Sequence, residues 1–433
     1  MSSAGRLAVL LSALAACPPP SALAQRQALD STTVLRQWAQ AVTDHAPGEP
    51  DAAVRHVAGL TYRARVDLDK SFALFLAALQ ESFIVTRSDT DSGVTAIARE
   101  IRQKSGTPDF LKRAALLHTD ALVFAGRFPR VPDDAPPPPP RTKGDPPTPV
   151  RPLLYNELIS LSRDGEVLGE ARADWNLPFA RSLLDVLVLD RSPVARQDLA
   201  FVSAWYHAVA AFLFANNNYA DSGAHLQHAA RVLPDDPHAL FDRASYAEAL
   251  GLPIYQVVHD NAEFRNRGYE TTGIPAESKT NSEAERLYRR TIAVDPSYVE
   301  ARVRLARLLE RRGRHEEAAG QITRALDARP AGIPLFFAHL VAGRIASARG
   351  RYEDALRHYR AASAIDPNAQ SALLGASHAA LMLSHVPEAL GPLQRLDAAP
   401  AAADEDPWLE YERGAGRDVR ALLEALWALV AKR

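Results

Sequence analysis

The sequence predicts an all-α protein built as a helical solenoid, and three observations predict it. The block Gly313-Arg314-His315-Glu316-Glu317-Ala318 returns as Gly350-Arg351-Tyr352-Glu353-Asp354-Ala355. Each block is followed by apolar residues at helical spacing and then a proline: Ile322, Ala325 and Pro330 after the first, Tyr359, Ala362 and Pro367 after the second. Alternation of β-branched residues, the mark of half-buried strands, is scarce. With 433 residues the chain is too long for one compact core. Repeated helix pairs resolve this by burying each pair's apolar face on the next.

Taken in order, residues 1–24 are expected to be an export signal. Arg6 is a short positive region, and residues 7–16 form an apolar stretch too short to span a bilayer. Two processing readings stay open. Ala22-Leu23-Ala24 before Gln25 is a small-x-small cleavage site. Leu14-Ala15-Ala16-Cys17 resembles the lipobox of bacterial lipoproteins, which would make Cys17 a lipidation site, although Pro18 is an unfavourable neighbour. Cys17 is the only cysteine, so the processed chain is expected to hold together without disulfides.

Residues 25–128 read as a helical N-terminal region. Val34, Leu35, Trp38 and Val42 share one face, as do Leu68, Phe72, Phe75, Leu76 and Leu79. Asp91-Ser92 precedes a helix carrying Ile97 and Ile101, and Thr107-Pro108 opens another. Residues 129–152 contain Pro136 to Pro140 in a row and read as an extended spacer. Residues 153–202 are expected to be a helical connector, with a turn at Arg163-Asp164-Gly165-Glu166 and a helix opening at Leu177-Pro178.

Five helix pairs follow over residues 203–400. The first spans 203–236. The second is split, its helices at 237–250 and 282–294 separated by an insertion over 251–281 rich in Gly, Asn and Pro. The third and fourth start at Val299 and Phe336. The fifth, from Gln370, has Ser384 where the turn glycine should stand. The amphipathic stretch with Leu422, Leu423, Leu426, Trp427 and Val430, within residues 401–433, is placed where a solenoid needs a cap.

These repeats resemble the tetratricopeptide pattern, over roughly half the chain. Small residues at Ala306, Ala318, Gly343 and Ala355 let paired helices approach, and Gly313 and Gly350 allow the tight turn at a helix end. The resemblance implies a right-handed superhelix with a concave groove lined by the first helix of each pair. It also implies a protein that binds peptides or proteins there and performs no chemistry. Carried onto that groove, Arg307, Arg344 and His378 occupy equivalent places on three successive first helices, with Arg311 one turn beyond Arg307. A row of cations there would pair with an acidic peptide or a terminal carboxylate.

Composition excludes little else. The net charge of −2 gives no nucleic-acid footprint. No phosphate loop, nucleophile elbow or dinucleotide fingerprint occurs, so no enzyme activity and no cofactor are expected. His225 and His228 share a helix face but lack a third ligand in the pattern. His207, beside Trp205 and Tyr206, reads as packing and not as a catalytic residue. Asp89, Asp91 and Gly93 depart from calcium-loop spacing and read as a helix cap. The expected function is therefore an exported scaffold binding a protein or peptide, with membrane contact only through Cys17. The alternative is a glycan or small-ligand binder using Tyr255, Phe264 and Tyr269 in the insertion.

Overall fold

A computed structural model describes residues 31–46, 75–76, 78–79, 92–104, 106–126, 173–189, 196–215, 219–252, 277–398, 406–412, 414 and 416–431. The leader with Cys17, the proline-rich spacer, the Arg163 turn, the Asp89-Asp91 pair and the insertion aromatics Tyr255, Phe264 and Tyr269 lie outside these residues. Every described element is a helix. The chain divides into two compact units, Met1–Val186 and Leu187–Arg433.

In the first unit, α1 (Ser31–Asp44), α2 (Ser92–Lys104) and α3 (Thr107–Gly126) pack together. Their apolar stripes meet around Trp38, whose ring takes Phe75 and Phe110 edge-on, both at 5.6 Å. Its indole N–H donates to His118 Nε2 at 3.1 Å, which satisfies the one polar atom that burying Trp38 strands. α4 (Ala173–Leu189) starts at Ala173, so Leu177-Pro178, the expected opening, lies within its first turns.

The second unit holds the repeats as five consecutive helix pairs: α5 (Arg196–Ala215) with α6 (Tyr219–Val232), α7 (Pro237–Leu250) with α8 (Glu277–Val294), α9 (Val299–Arg311) with α10 (His315–Asp327), α11 (Gly332–Ala348) with α12 (Tyr352–Ile365), and α13 (Gln370–Met382) with α14 (Val386–Ala398). The first helix of the first pair starts at Arg196, seven residues before the expected Ser203, because Phe201 and Val202 already belong to its buried face. In the split pair α7 and α8 pack together, and α8 starts at Glu277, so 277–281, expected within the insertion, already belong to the helix.

Local chemistry explains the pairing. Three first helices end in the same cap, in which the residue after a left-handed position donates back across the last turn: Arg314 N to Leu309 O, Arg351 N to Ala346 O and His385 N to Ala380 O, each at 2.9 Å. The left-handed residues are Gly313, Gly350 and, in the degenerate pair, Ser384 at φ 63°. Between pairs, Tyr359 of α12 is wedged against Gly343 of α11 and Gly375 of α13. A Cβ at either position would come within 2.7 Å and 2.5 Å of its ring.

The C-terminal stretch does not cap the array. α15 (Pro407–Glu412) and α16 (Val419–Ala431) return along it, and α16 packs on α5 of the first pair. The last pair keeps Leu381, Met382, Val386, Leu390 and Leu393 exposed. The apolar face of the final helix is used, but at the other end of the array from the one repeat logic assigned to it.

Candidate inner-face site

The first helices α5, α7, α9, α11 and α13 pack side by side, α5 on α7, α7 on α9, α9 on α11 and α11 on α13. Together they make one continuous face. Its floor is a buried charge cluster. Glu248 of α7 is 1% exposed and receives the Arg307 guanidinium in a short charge-assisted bond. Arg304 Nη1 lies 3.6 Å from the same carboxylate, and the Tyr288 hydroxyl donates to it at 2.7 Å. Burial pushes the Glu248 carboxyl up, but Arg307 and Arg304 outweigh it and hold it below the usual carboxylate range. Burial, reinforced by Glu248, pushes the Tyr288 hydroxyl well up, so it stays a donor.

A second buried cluster sits further along the same face. Asp242 of α7 receives Arg417 Nη1 at 2.7 Å and lies 3.0 Å from His207 Nδ1 of α5. Burial raises the Asp242 carboxyl, yet His207 and Arg417 more than offset it and keep the group below its ordinary value. The His238 ring stacks on His207 at 4.5 Å and contacts the Tyr298 hydroxyl at 2.9 Å. Burial, with His207 beside it, lowers the His238 pKa, so this ring is held neutral. His207 therefore packs within a charge cluster, as a structural residue.

Across this face lie residues 406–412, 414 and 416–418. Asp406 accepts the Ser371 backbone N–H at 2.6 Å and its hydroxyl at 3.0 Å, at the N-terminus of α13. Trp408 sits between two guanidiniums, Arg307 at 5.4 Å and Arg344 at 5.3 Å from its ring. Tyr411 is fully buried: its ring stacks on Phe337 at 4.0 Å and lies under Arg304 at 3.9 Å, while Arg304 Nη1 donates to its carbonyl at 3.1 Å. Glu412 reaches Arg307 at 3.4 Å. Gly414 approaches α7 so closely that a Cβ would stand 3.1 Å from Ala249 Cβ and 3.2 Å from the Ser245 carbonyl. The contacts run in order down the face, from α13 through α11 and α9 to α7. Between the stretch and the array remains a cleft of about 280 Å³, walled by Val303, Ile333, Phe337 and Leu422.

The predicted cation row is thus placed, and its members differ. Arg307 is not an open groove cation: it is 1% exposed, because Glu248 below and Trp408 above enclose it. Arg344 is partly open and pairs with Glu310 at 3.6 Å. Arg311 is partly buried, 3.9 Å from Glu277. His378 is exposed, edge-on to Tyr352 at 6.3 Å. Ser371, Leu374 and His378 fall on one face of α13 at helical spacing. Asp406 covers only the first of these, and Leu374 is 51% exposed. Elsewhere, His225 Nε2 lies 3.0 Å from the Tyr206 carbonyl and His228 Nδ1 lies 2.8 Å from Arg231. Glu248, Arg304, Trp408 and Tyr411 were missed by sequence reasoning. The only signal available was the spacing Trp408-x-x-Tyr411 after Asp406-Pro407, in a segment with no repeat to compare it with.

Residues 281–333 and 340–403 match the family model described as tetratricopeptide repeat. No curated protein matches the chain. Among solved structures, the chain is similar to MamA of MSR-1 at 14% identity and a TM-score of 0.32, covering 45% of this chain and 95% of that one. A tetratricopeptide repeat protein from Parabacteroides merdae shows 14% identity and a TM-score of 0.34, covering 64% and 99%. Yeast Tom70 shows 13% and 0.33, covering 94% and 83%. Values this low carry nothing about partner or activity.

Proposed function

Because this chain is a tetratricopeptide-repeat protein, we propose that it is a non-enzymatic scaffold of the bacterial envelope that holds a polypeptide on the face formed by its first helices. The observation that supports this most is the seating of residues 406–412, 414 and 416–418. A short stretch of polypeptide lies across four first helices and is held by an acid, two aromatic rings and backbone bonds, which is how such a face holds a peptide. In the buried charge clusters the Asp242 and Glu248 carboxylates are each paired with a guanidinium, which supports a structural role for this floor. The exposed surface at Leu374 and His378 continues the face beyond the seated stretch.

The test is site-specific photo-crosslinking in cells. A photoreactive residue at His378, on the inner face, is compared with one at Thr323 on the exposed outer side of α10. A polypeptide captured from position 378 and not from 323 is expected. Equal capture at both positions, or none at 378, would sink the assignment. Export rests on residues 1–24 and is tested separately. N-terminal sequencing of the mature protein is expected to begin at Gln25, or at a lipid-modified Cys17. A mature chain that retains Arg6 would remove the envelope location.

A further inference from the structure

We infer that residues 406–412 are a built-in pseudo-ligand, which leaves the inner face when a partner segment of the same acidic and aromatic pattern takes its place. The partner class is a peptide with an acidic residue, then two aromatic residues three positions apart, then a second acid, after Asp406, Trp408, Tyr411 and Glu412. The inference rests on the reading that this face takes polypeptide, and it names the chemistry of that polypeptide.

Four observations support displacement. First, the floor is electrostatically complete without the stretch. Arg307 and Arg304 share Glu248, and Tyr288 donates to the same carboxylate, all from array helices. Departure of 406–412 removes the rings, the Tyr411 carbonyl that Arg304 reaches and the distant Glu412 carboxylate at 3.4 Å, but strands no buried charge, because Arg417 stays on Asp242 beyond the glycines. Second, the helical part is six residues long, below the length at which a helix sustains itself, so its form depends on docking. Third, it is followed by Gly414 and Gly416, both at positive φ near 85°, a backbone path that costs little to leave. Fourth, a cleft of about 280 Å³ borders the C-terminal side of the stretch, lined by Tyr411, Gly416, Arg417 and Leu422, and leaves room there for the chain to shift. The anchors are those a transient ligand uses: two buried aromatics and two carboxylates, one of them on the N-terminus of α13.

The test has two arms on the full chain. In native-state hydrogen exchange, the hydrogen-bonded amides of Leu409 and Gly414 are expected to exchange at least tenfold faster than the core amides of α9 and α11. Exchange of all of them together would make the stretch a fixed part of the core and overturn the inference, while leaving the crosslinking result at His378 to decide the scaffold reading on its own. In the second arm, a fluorescent peptide of residues 406–412 is titrated onto wild type and onto the W408A/Y411A variant. It is expected to bind the variant at least tenfold more tightly, and a peptide with alanine at both aromatic positions is expected not to bind. Equal binding to both proteins, or no binding to a variant that keeps its far-UV spectrum, overturns the inference. Should that variant not fold, the exchange arm decides.

Discussion

Glu248→Gln is the substitution that most directly tests the buried floor of the inner face. Gln keeps the shape of Glu but has one acceptor oxygen in place of two, so the change removes the charge and leaves either Arg307 or the Tyr288 hydroxyl facing an amide donor. At an effective dielectric near 20, each guanidinium within about 4 Å of the carboxylate is worth about 4 kcal/mol of gross attraction. Arg307 is in hydrogen-bonded contact and Arg304 lies at 3.6 Å, both essentially without solvent. Part of that attraction is returned, because a neutral Gln carries no desolvation cost. The net expected loss is about 3–5 kcal/mol, the range for breaking a buried ion pair on one side. For a unit of this size it lowers the Tm by roughly 6–20 °C.

The assay is thermal melting by far-UV circular dichroism with a urea titration beside it, where Cm should fall at an unchanged m. The sign with pH follows from the depressed Glu248 carboxyl. Its contribution is fully present above the ordinary value of 4.5 and is lost as pH falls through the lower folded value. The gap between wild type and variant should therefore be full at pH 7 and close in acid below 4.5. A variant within about 1 kcal/mol of wild type at pH 7, or a gap that widens in acid, would refute the reasoning.

Other outcomes are equally accessible. Arg307→Ala should cost about 3 kcal/mol, since it uncovers Glu248, while Arg344→Ala should cost less than about 1 kcal/mol because Arg344 is 38% exposed and its contact with Glu310 is long, at 3.6 Å; urea melts giving similar losses for both would contradict the placement of Arg307. Gly375→Ala should destabilise by about 1–2 kcal/mol, because overpacking against the Tyr359 ring exceeds the gain in helix propensity. A stabilised G375A would show that the ring moves freely. Ser384→Gly should stabilise by about 0.5–1 kcal/mol, relief of the left-handed backbone at φ 63° outweighing the added freedom of the unfolded chain. A loss of stability in the same melts would count against the cap described for α13.

Much of the array was legible from local pattern. The turn glycines, the small residues at helix crossings and the trailing prolines each act within a few residues or one repeat, so they recur and can be recognised. That is why the pairing of α7 with α8 was readable even across the insertion, and why Ser384 could be identified as standing in for a glycine. The cation row was only half legible. Spacing put Arg307, Arg344 and His378 in one column, but no spacing says whether a column is open or covered. Burying Arg307 takes Glu248, 59 positions away, and Trp408, on a segment outside the repeats.

By itself, then, the sequence determined that this protein is a ladder of helix pairs, where each pair turns, and which helices form the inner face. Only the tertiary structure decided what occupies that face and that the last helix returns to α5 instead of capping α14. The physical reason is the range of the interactions. Repeat stacking joins neighbours, so periodicity encodes it. The contact of Arg304 with the Tyr411 carbonyl spans 107 positions and depends on shape and charge that exist only once the floor of Glu248, Arg304 and Arg307 has been assembled.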